Sequence, residues 1–339
     1  MKVIDISGLI EVKNLVKDYK LNANKKGFLG AVKSLLVPEY EIKRAVDNIS
    51  FTIHKGDMVG FIGPNGAGKS TTVKMLSGIL VPTSGEVSID GLSPYKDRKK
   101  NAARIGVVFG QKTQLWWDLP VIDTFSLLKH VYRIPNDVFE RNLEQYSELL
   151  GLNEFMYQPV RQISLGQRMR ADIAAALLHD PDVIFFDEPT IGLDISVKDK
   201  IRNFLKYINT EKGITMLFTT HDMKDIERVC NKIIIIDKGR VIYNGLLKSI
   251  RDTFDVKKLL IIEFQNYYEN LDIPGLIIIK DEGKKKWLQF ERKESQLSDI
   301  VSYILNNYSI NDLNIVETDI EEIIREIYEG GIAIEYSLY

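Results

Sequence analysis

Met58-Val59-Gly60-Phe61-Ile62-Gly63-Pro64-Asn65-Gly66-Ala67-Gly68-Lys69-Ser70 is the stretch that decides how this 339-residue chain is read. Its first five residues are apolar or small, the pattern of a strand buried on both faces. The eight that follow match the phosphate-binding loop pattern, glycines at fixed spacing ending in Lys-Ser. Glycines there let consecutive backbone N–H groups converge on phosphate oxygens with no Cβ in the way. A helix beginning near Lys69 points its partial positive end at the same phosphates. Lys69 brings a full charge to the β- and γ-phosphates, Ser70 brings a hydroxyl ligand for Mg²⁺, and Thr71 continues the loop into the helix. A strand before, a helix after and a complete match leave little room for a chance glycine-rich turn.

Working outward, short β-rich runs alternate with helical patterns through residues 1–245, predicting a parallel sheet with crossover helices. Strands are expected at Met58–Ile62, Ile105–Phe109, 183–186, Thr215–Thr219 and 232–236. The run Val183-Ile184-Phe185-Phe186 ends in Asp187-Glu188, two carboxylates at the end where parallel sheets bind ligands. Beside a phosphate loop, Asp187 can hold Mg²⁺ through water and Glu188 can orient and deprotonate an attacking water. His221 follows the strand ending at Thr219 and reaches the same edge, where a neutral imidazole can contact a γ-phosphate. Between about 115 and 180 the pattern turns helical, with helices expected at 123–132, 137–150 and 164–179, the last opened by Ser164 as N-cap.

Residues 256–339 read as a separate accessory unit: strand 256–264, a hairpin of 276–279 and 287–290, helix 295–307, strand 313–316 and helix 320–328. That order suggests a small α+β domain of ferredoxin-like pattern with no catalytic cluster. Residues 20–45 form an insertion in which Phe28, Leu29, Val32, Leu35 and Leu36 share one helical face among lysines. It reads as a surface helix of its own domain in preference to a membrane-surface or partner-docking helix.

Composition narrows the classes. Lys plus Arg is 45 and Asp plus Glu 47, so no basic footprint supports nucleic acid as a partner. One cysteine, Cys230, excludes an internal disulfide framework and a multi-Cys metal site. Apolar runs are short and the N-terminus has no signal-peptide core, which leads to the expectation of a soluble, cytoplasmic chain.

At these residues the chain resembles an ATP-binding subunit of ABC transporters, over about residues 9 to 245. The loop and the Asp187-Glu188 strand are shared by many ATPases. Ile163-Ser164-Leu165-Gly166-Gln167 resembles the signature sequence specific to the ABC family. Gln111 resembles the family's glutamine loop, a catalytic and Mg²⁺-contacting position. Gly192-Leu193-Asp194 resembles its dimer-contact loop, His221 its switch histidine, and Tyr19 the aromatic residue that stacks on adenine, here set far from the loop by the insertion. Leu165 stands where the family normally has glycine, and would be strained if that position needs φ > 0.

The resemblance implies a P-loop α/β core with a helical subdomain and head-to-tail homodimers. ATP would be sandwiched between one copy's loop and the other's Ser164, Gly166 and Gln167, with Asp194 nearby. Gln167-Arg168-Met169-Arg170, the Gln114-to-Asp118 stretch and the C-terminal unit resemble an exporter-type branch whose permease is a separate chain. The implied role is ATP hydrolysis powering that permease from the inner face of the membrane. Trp116, Trp117 and Leu119 are then candidate docking residues, against the alternative of burial in the helical subdomain. The rival reading is a soluble ABC ATPase acting on ribosomes or DNA.

Overall fold

The structure, a computed structural model, describes residues 8–22, 40–110, 112–220, 222–253, 258–269, 271, 273–290, 294–316, 321, 323–325 and 328. The chain divides between Gly245 and Leu246 into two compact units.

In the first unit the apolar run Met58–Ile62 is β3, inside a six-stranded sheet. The order is β5 (Ile105–Phe109), β6 (Val183–Asp187), β7 (Thr215–Thr219), β3, β8 (Lys232–Asp237) and β9 (Arg240–Leu246). The first five strands pair in parallel. Every residue of β3 and β7 is buried, and every residue of β6 except Asp187 is fully so. Burying one such Phe or Ile side chain contributes about 1.5–3 kcal/mol, so these runs dominate the core. The crossovers that cover the sheet include α1 (Lys69–Leu76), α6 (Ile195–Lys212) and α7 (Met223–Val229). Between β8 and β9, Lys238 (φ 46°) and Gly239 (φ 80°) make a two-residue turn with both φ positive, the geometry tight hairpins prefer.

A second, antiparallel sheet of order β2 (Tyr40–Ile53), β1 (Ile10–Asn22), β4 (Ser84–Ile89) was not legible in the sequence. Its two long strands lose the two-residue period at bulges. Ile10 and Val12 point inward, Asn14 adopts φ 48°, and Leu15 is the next buried residue. In β2 the same happens at Asn48 (φ 56°), between buried Val46 and buried Ile49. The 20–45 insertion therefore begins and ends as strand, with Asn22 opposite Tyr40. The expected helix through Phe28 and Leu36 lies outside the described residues.

The short helix α2 (Arg98–Ala102) precedes β5, and the helical region between β5 and β6 holds α3 (Val121–Tyr132), α4 (Asn136–Leu150) and α5 (Leu165–Leu177). Pro120 and Pro135 sit immediately before α3 and α4, where a missing N–H is harmless. Buried Arg170 of α5 donates from Nη1 to Leu150 O (2.5 Å) and lies over the Phe155 ring (5.0 Å), closing the C-terminal end of α4.

The second unit contains α8 (Leu247–Thr253), β10 (Lys258–Phe264), β11 (Ile277–Glu282), β12 (Lys285–Phe290), α9 (Glu294–Asn307) and β13 (Ile310–Val316). The strands pair antiparallel in the order β11-β12-β10-β13, which is the ferredoxin-like order, second, third, first, fourth. The first crossover differs from that pattern: its described residues, 265–269, 271 and 273–276, contain no helix. Leu260, Ile262, Phe264, Ile273, Leu288, Ile300 and Ile304 form the unit's own core. Of the expected 320–328 helix, residues 321, 323–325 and 328 are described, and all are helical.

Candidate active site

The loop closes tightly on its surroundings. Gly66 (φ 83°) and Gly68 (φ 105°) occupy the left-handed region, where side-chain-bearing residues are strained. A Cβ at Gly68 would stand 2.5 Å from Ala45 O, and one at Gly63 would stand 2.3 Å from Ile236 O. Gly68 caps α1, whose first turn carries no acidic residue, and the first N–H groups of a helix have no partner within it. Lys69, only 6% exposed, donates to Gly63 O (2.6 Å) and Pro64 O (3.2 Å). Burial pulls its ammonium pKa down, while Glu188 and Asp187 oppose that shift. A desolvated cation held over carbonyls is poised to exchange them for phosphate oxygens, which are better partners.

Ser70 Oγ donates to Asp187 Oδ1 (3.1 Å), and Thr219 Oγ1 donates to the same oxygen (2.8 Å). The carboxylate at the end of β6 is thus fixed between α1 and β7 through one of its oxygens. Hydroxyl and carboxylate are the hard oxygen donors Mg²⁺ prefers, few in number, because that ion keeps water and substrate phosphate in its shell. Among the described residues no group of three or more His, Cys, Asp or Glu forms a metal cage. A metal here would accordingly be completed by phosphate and water.

Glu188 follows with φ 55°, a conformation that stores of order 1 kcal/mol in a residue with a side chain. The ends of β5 and β7 hold it in place. Its N–H is within hydrogen-bond distance of Thr219 O (3.0 Å) and Thr219 Oγ1 (3.1 Å). Gly110 N–H donates to Asp187 O (2.8 Å), and a Cβ at Gly110 would fall 1.9 Å from Glu188 O. Thr219 and Gly110 were missed from the sequence, since only the register of β5, β6 and β7 brings them here. Thr190 and Asp225 were missed likewise. Thr190 Oγ1 donates to Asp225 Oδ2 (2.5 Å), and Arg202 Nε donates to Asp225 Oδ1 (2.7 Å), a buried network fastening the chain after Glu188 to α6 and α7.

A second cluster surrounds Ser164. Ser164 Oγ accepts from Gln167 N–H (3.2 Å) while Gln167 Oε1 accepts from Ser164 N–H (2.8 Å), a complete capping box at the head of α5. The strain anticipated at Leu165 does not arise. Leu165 is the first residue inside the helix and is absent from the positive-φ positions. Gly166 packs on Val197, since a Cβ there would stand 3.1 Å from Val197 Cγ2. Asp194 caps α6, with Oδ1 accepting from Val197 N–H (2.9 Å) and Ser196 Oγ (2.8 Å), and the backbone bond above all lowers its pKa.

Tyr19 is carried back toward the loop by strand pairing. It lies opposite Lys43 in β2, two residues before Ala45, whose carbonyl meets Gly68. The long insertion is therefore no spatial separation. Lys17 Nζ stands 5.5 Å from the Tyr19 ring centroid. Gln111 and His221 lie outside the described residues. Trp116 (57% exposed) and Trp117 (51%) are not buried in the helical region, whereas Leu119 is half-buried.

The family model described as ABC transporter matches residues 46–191, which hold the loop, the Ser164 turn and the carboxylates. The ABC transporter ATP-binding protein NatA of Bacillus subtilis (strain 168) is 36% identical over 213 residues, 63% of this chain and 86% of that protein. The methionine import ATP-binding protein MetN 2 of Enterococcus faecalis (strain ATCC 700802 / V583) is 29% identical over 93% of this chain and 88% of its own. The dimeric post-hydrolysis structure of the ATP-binding cassette MJ0796 with ADP and Pi aligns at a TM-score of 0.58 and 30% identity, covering 70% of this chain and 98% of that one. Phosphate loop, paired carboxylates and capped serine turn all lie within a matched region, and the chain belongs to the ABC transporter ATP-binding proteins, which bind and hydrolyse ATP.

Proposed function

We propose that this chain is the energy-supplying subunit of an exporter-type ABC system whose permease is a separate polypeptide, working as a head-to-tail homodimer. The observation that carries the reading is the joint anchoring of Asp187 by Ser70 and Thr219, with Glu188 held beside it in a left-handed conformation. Gly63 to Thr71 cradle the triphosphate of ATP, Lys69 neutralises its charge, and Tyr19 stacks on the adenine. Ser70 and Asp187, with Gln111, would hold Mg²⁺, which when bound would neutralise charge on the phosphates. Glu188 accepts a proton from the attacking water, and His221 contacts the γ-phosphate.

Ser164, Gly166 and Gln167 form the second half of the site, facing the γ-phosphate of a partner copy. The helix N-terminus and the Ser164 hydroxyl suit an anion, and a dimer is in keeping with the dimeric form of the MJ0796 cassette. No helix among the described residues is long and apolar enough to cross a membrane. The exposed Trp116–Trp117 pair is the surface we assign to the permease, since exposed aromatics concentrate at interface centres. The exporter direction rests on the Gln167-Arg168-Met169-Arg170 and Gln114-to-Asp118 sequences. It sets this chain apart from the import protein MetN 2.

Glu188→Gln tests the assignment. It is expected to bind ATP normally, hydrolyse it ~10²–10⁴-fold more slowly, and accumulate an ATP-bound dimer on gel filtration. Unchanged turnover would remove Glu188 from its role. Direction is tested with inside-out vesicles containing the permease, where ATP-driven uptake of labelled substrate marks an exporter.

A further inference from the structure

One face of α5 carries Ser164, Arg168 and Asp172 at successive four-residue intervals, the spacing that stacks side chains along a helix. Asp172 is 3% exposed, and its bonds all go to one place. Its Oδ1 accepts from Thr113 Oγ1 (2.9 Å) and from Gln114 N–H (3.0 Å), and its backbone carbonyl accepts from Gln114 Nε2 (2.9 Å). Thr113 Oγ1 in turn accepts from Leu115 N–H (3.1 Å), and Trp116 N–H donates to Thr124 Oγ1 (3.2 Å). One turn nearer Ser164, the Arg168 guanidinium lies 5.7 Å from the Trp117 ring centroid, within cation–π range. The same helix that begins at Ser164 therefore grips residues 113–117 at two levels.

A buried carboxylate inside a helix is expensive to keep unless its acceptors are used. Here both donors to Oδ1 come from a single segment, which ends in the exposed tryptophan pair. We propose that Asp172 is a positioning residue that locks the Thr113–Trp117 segment onto the helix presenting Ser164, so that the tryptophan surface follows the Ser164 end of that helix. The positional part stands on these contacts alone. Its coupling to nucleotide rests on the reading of Ser164 as a γ-phosphate contact.

The test uses full-length protein with Trp287→Phe, which leaves Trp116 and Trp117 as the only two of the chain's three tryptophans. Without nucleotide, Asp172→Ala is expected to raise the acrylamide quenching constant of the tryptophan emission about twofold as the segment opens locally. Asp172→Asn, which keeps an oxygen acceptor in place, is expected to restore the original quenching. Unchanged quenching in a folded Asp172→Ala protein would overturn the proposal. Should that variant fail to fold, Thr113→Val with Gln114→Ala removes two of the three side-chain-dependent bonds from the other side and decides by the same reading. In the nucleotide arm, the ATP-induced change in emission seen in the Trp287→Phe parent should be lost in Asp172→Ala and kept in Asp172→Asn. A parent with no ATP-induced change, beside the expected quenching result, would refute the Ser164 reading and leave the lock established.

Discussion

At the scale of single residues, two buried charges have opposite uses. Lys69 is desolvated in the loop we propose receives a polyanion, where its destabilised ammonium would favour binding. Asp172 is desolvated with no substrate in prospect, and burial above all pushes its carboxyl up to about 6, with Arg168 and the bonds from Gln114 and Thr113 pulling the other way. A folded-state value above the ordinary 3.8 means the native state holds its proton more tightly than the unfolded chain between those two pH values. Stability supplied by this group is therefore fully present below about pH 4 and lost as pH rises through about 6, with a span of about 3 kcal/mol. Melting temperatures of wild type and Asp172→Asn measured from pH 4 to 8 should diverge in favour of the variant as pH rises. Parallel curves would show that the carboxyl titrates as an ordinary aspartate.

At the scale of elements, the start of α5 has one observed job and one proposed job. Ser164 is both the N-cap that satisfies Gln167 N–H and the residue assigned to a partner's γ-phosphate. Asp is as good an N-cap as Ser, and a negative charge there also suits the helix dipole. Ser164→Asp should therefore melt at or above the wild-type temperature, whereas Ser164→Ala should lose about 1 kcal/mol. Hydrolysis separates the roles. Ser164→Asp places a carboxylate against the γ-phosphate and is expected to reduce ATP turnover at least tenfold, without changing nucleotide affinity at Lys69. A stable, fully active Ser164→Asp enzyme would restrict Ser164 to capping.

At the scale of the whole molecule, the proposed head-to-tail arrangement would divide one reaction between copies. Lys69, Ser70, Asp187 and Glu188 gather at one sheet edge, while Ser164, Gln167 and Asp194 gather where α5 meets the start of α6. If each catalytic centre joins one cluster from each copy, Lys69→Ala and Ser164→Asp proteins should both be nearly inactive alone. An equimolar mixture should regain part of the activity, because some heterodimers contain one intact centre. A mixture as inactive as its parts, together with wild-type specific activity that does not fall on dilution, would refute the shared centre.

The sequence by itself determined the parallel core and the phosphate loop. Continuous apolar runs declare strands buried on both faces, and a loop built on consecutive residues is legible wherever local spacing sets the chemistry. Ser164 as a cap and Asp187-Glu188 at a strand end belong to the same class. Only the tertiary structure decided what depends on pairing between distant segments. The bulges at Asn14 and Asn48 erase the alternation that would have announced β1 and β2. The return of Tyr19 toward Gly68 across the insertion is a matter of strand register. Thr219 and Gly110 are an ordinary threonine and an ordinary glycine until β5, β6 and β7 align them with Asp187 and Glu188. Asp172 reads as a charge in an alanine-rich helix, and only the packing of α5 against residues 113–114 turns its Oδ1 into the acceptor of Thr113 Oγ1 and Gln114 N–H.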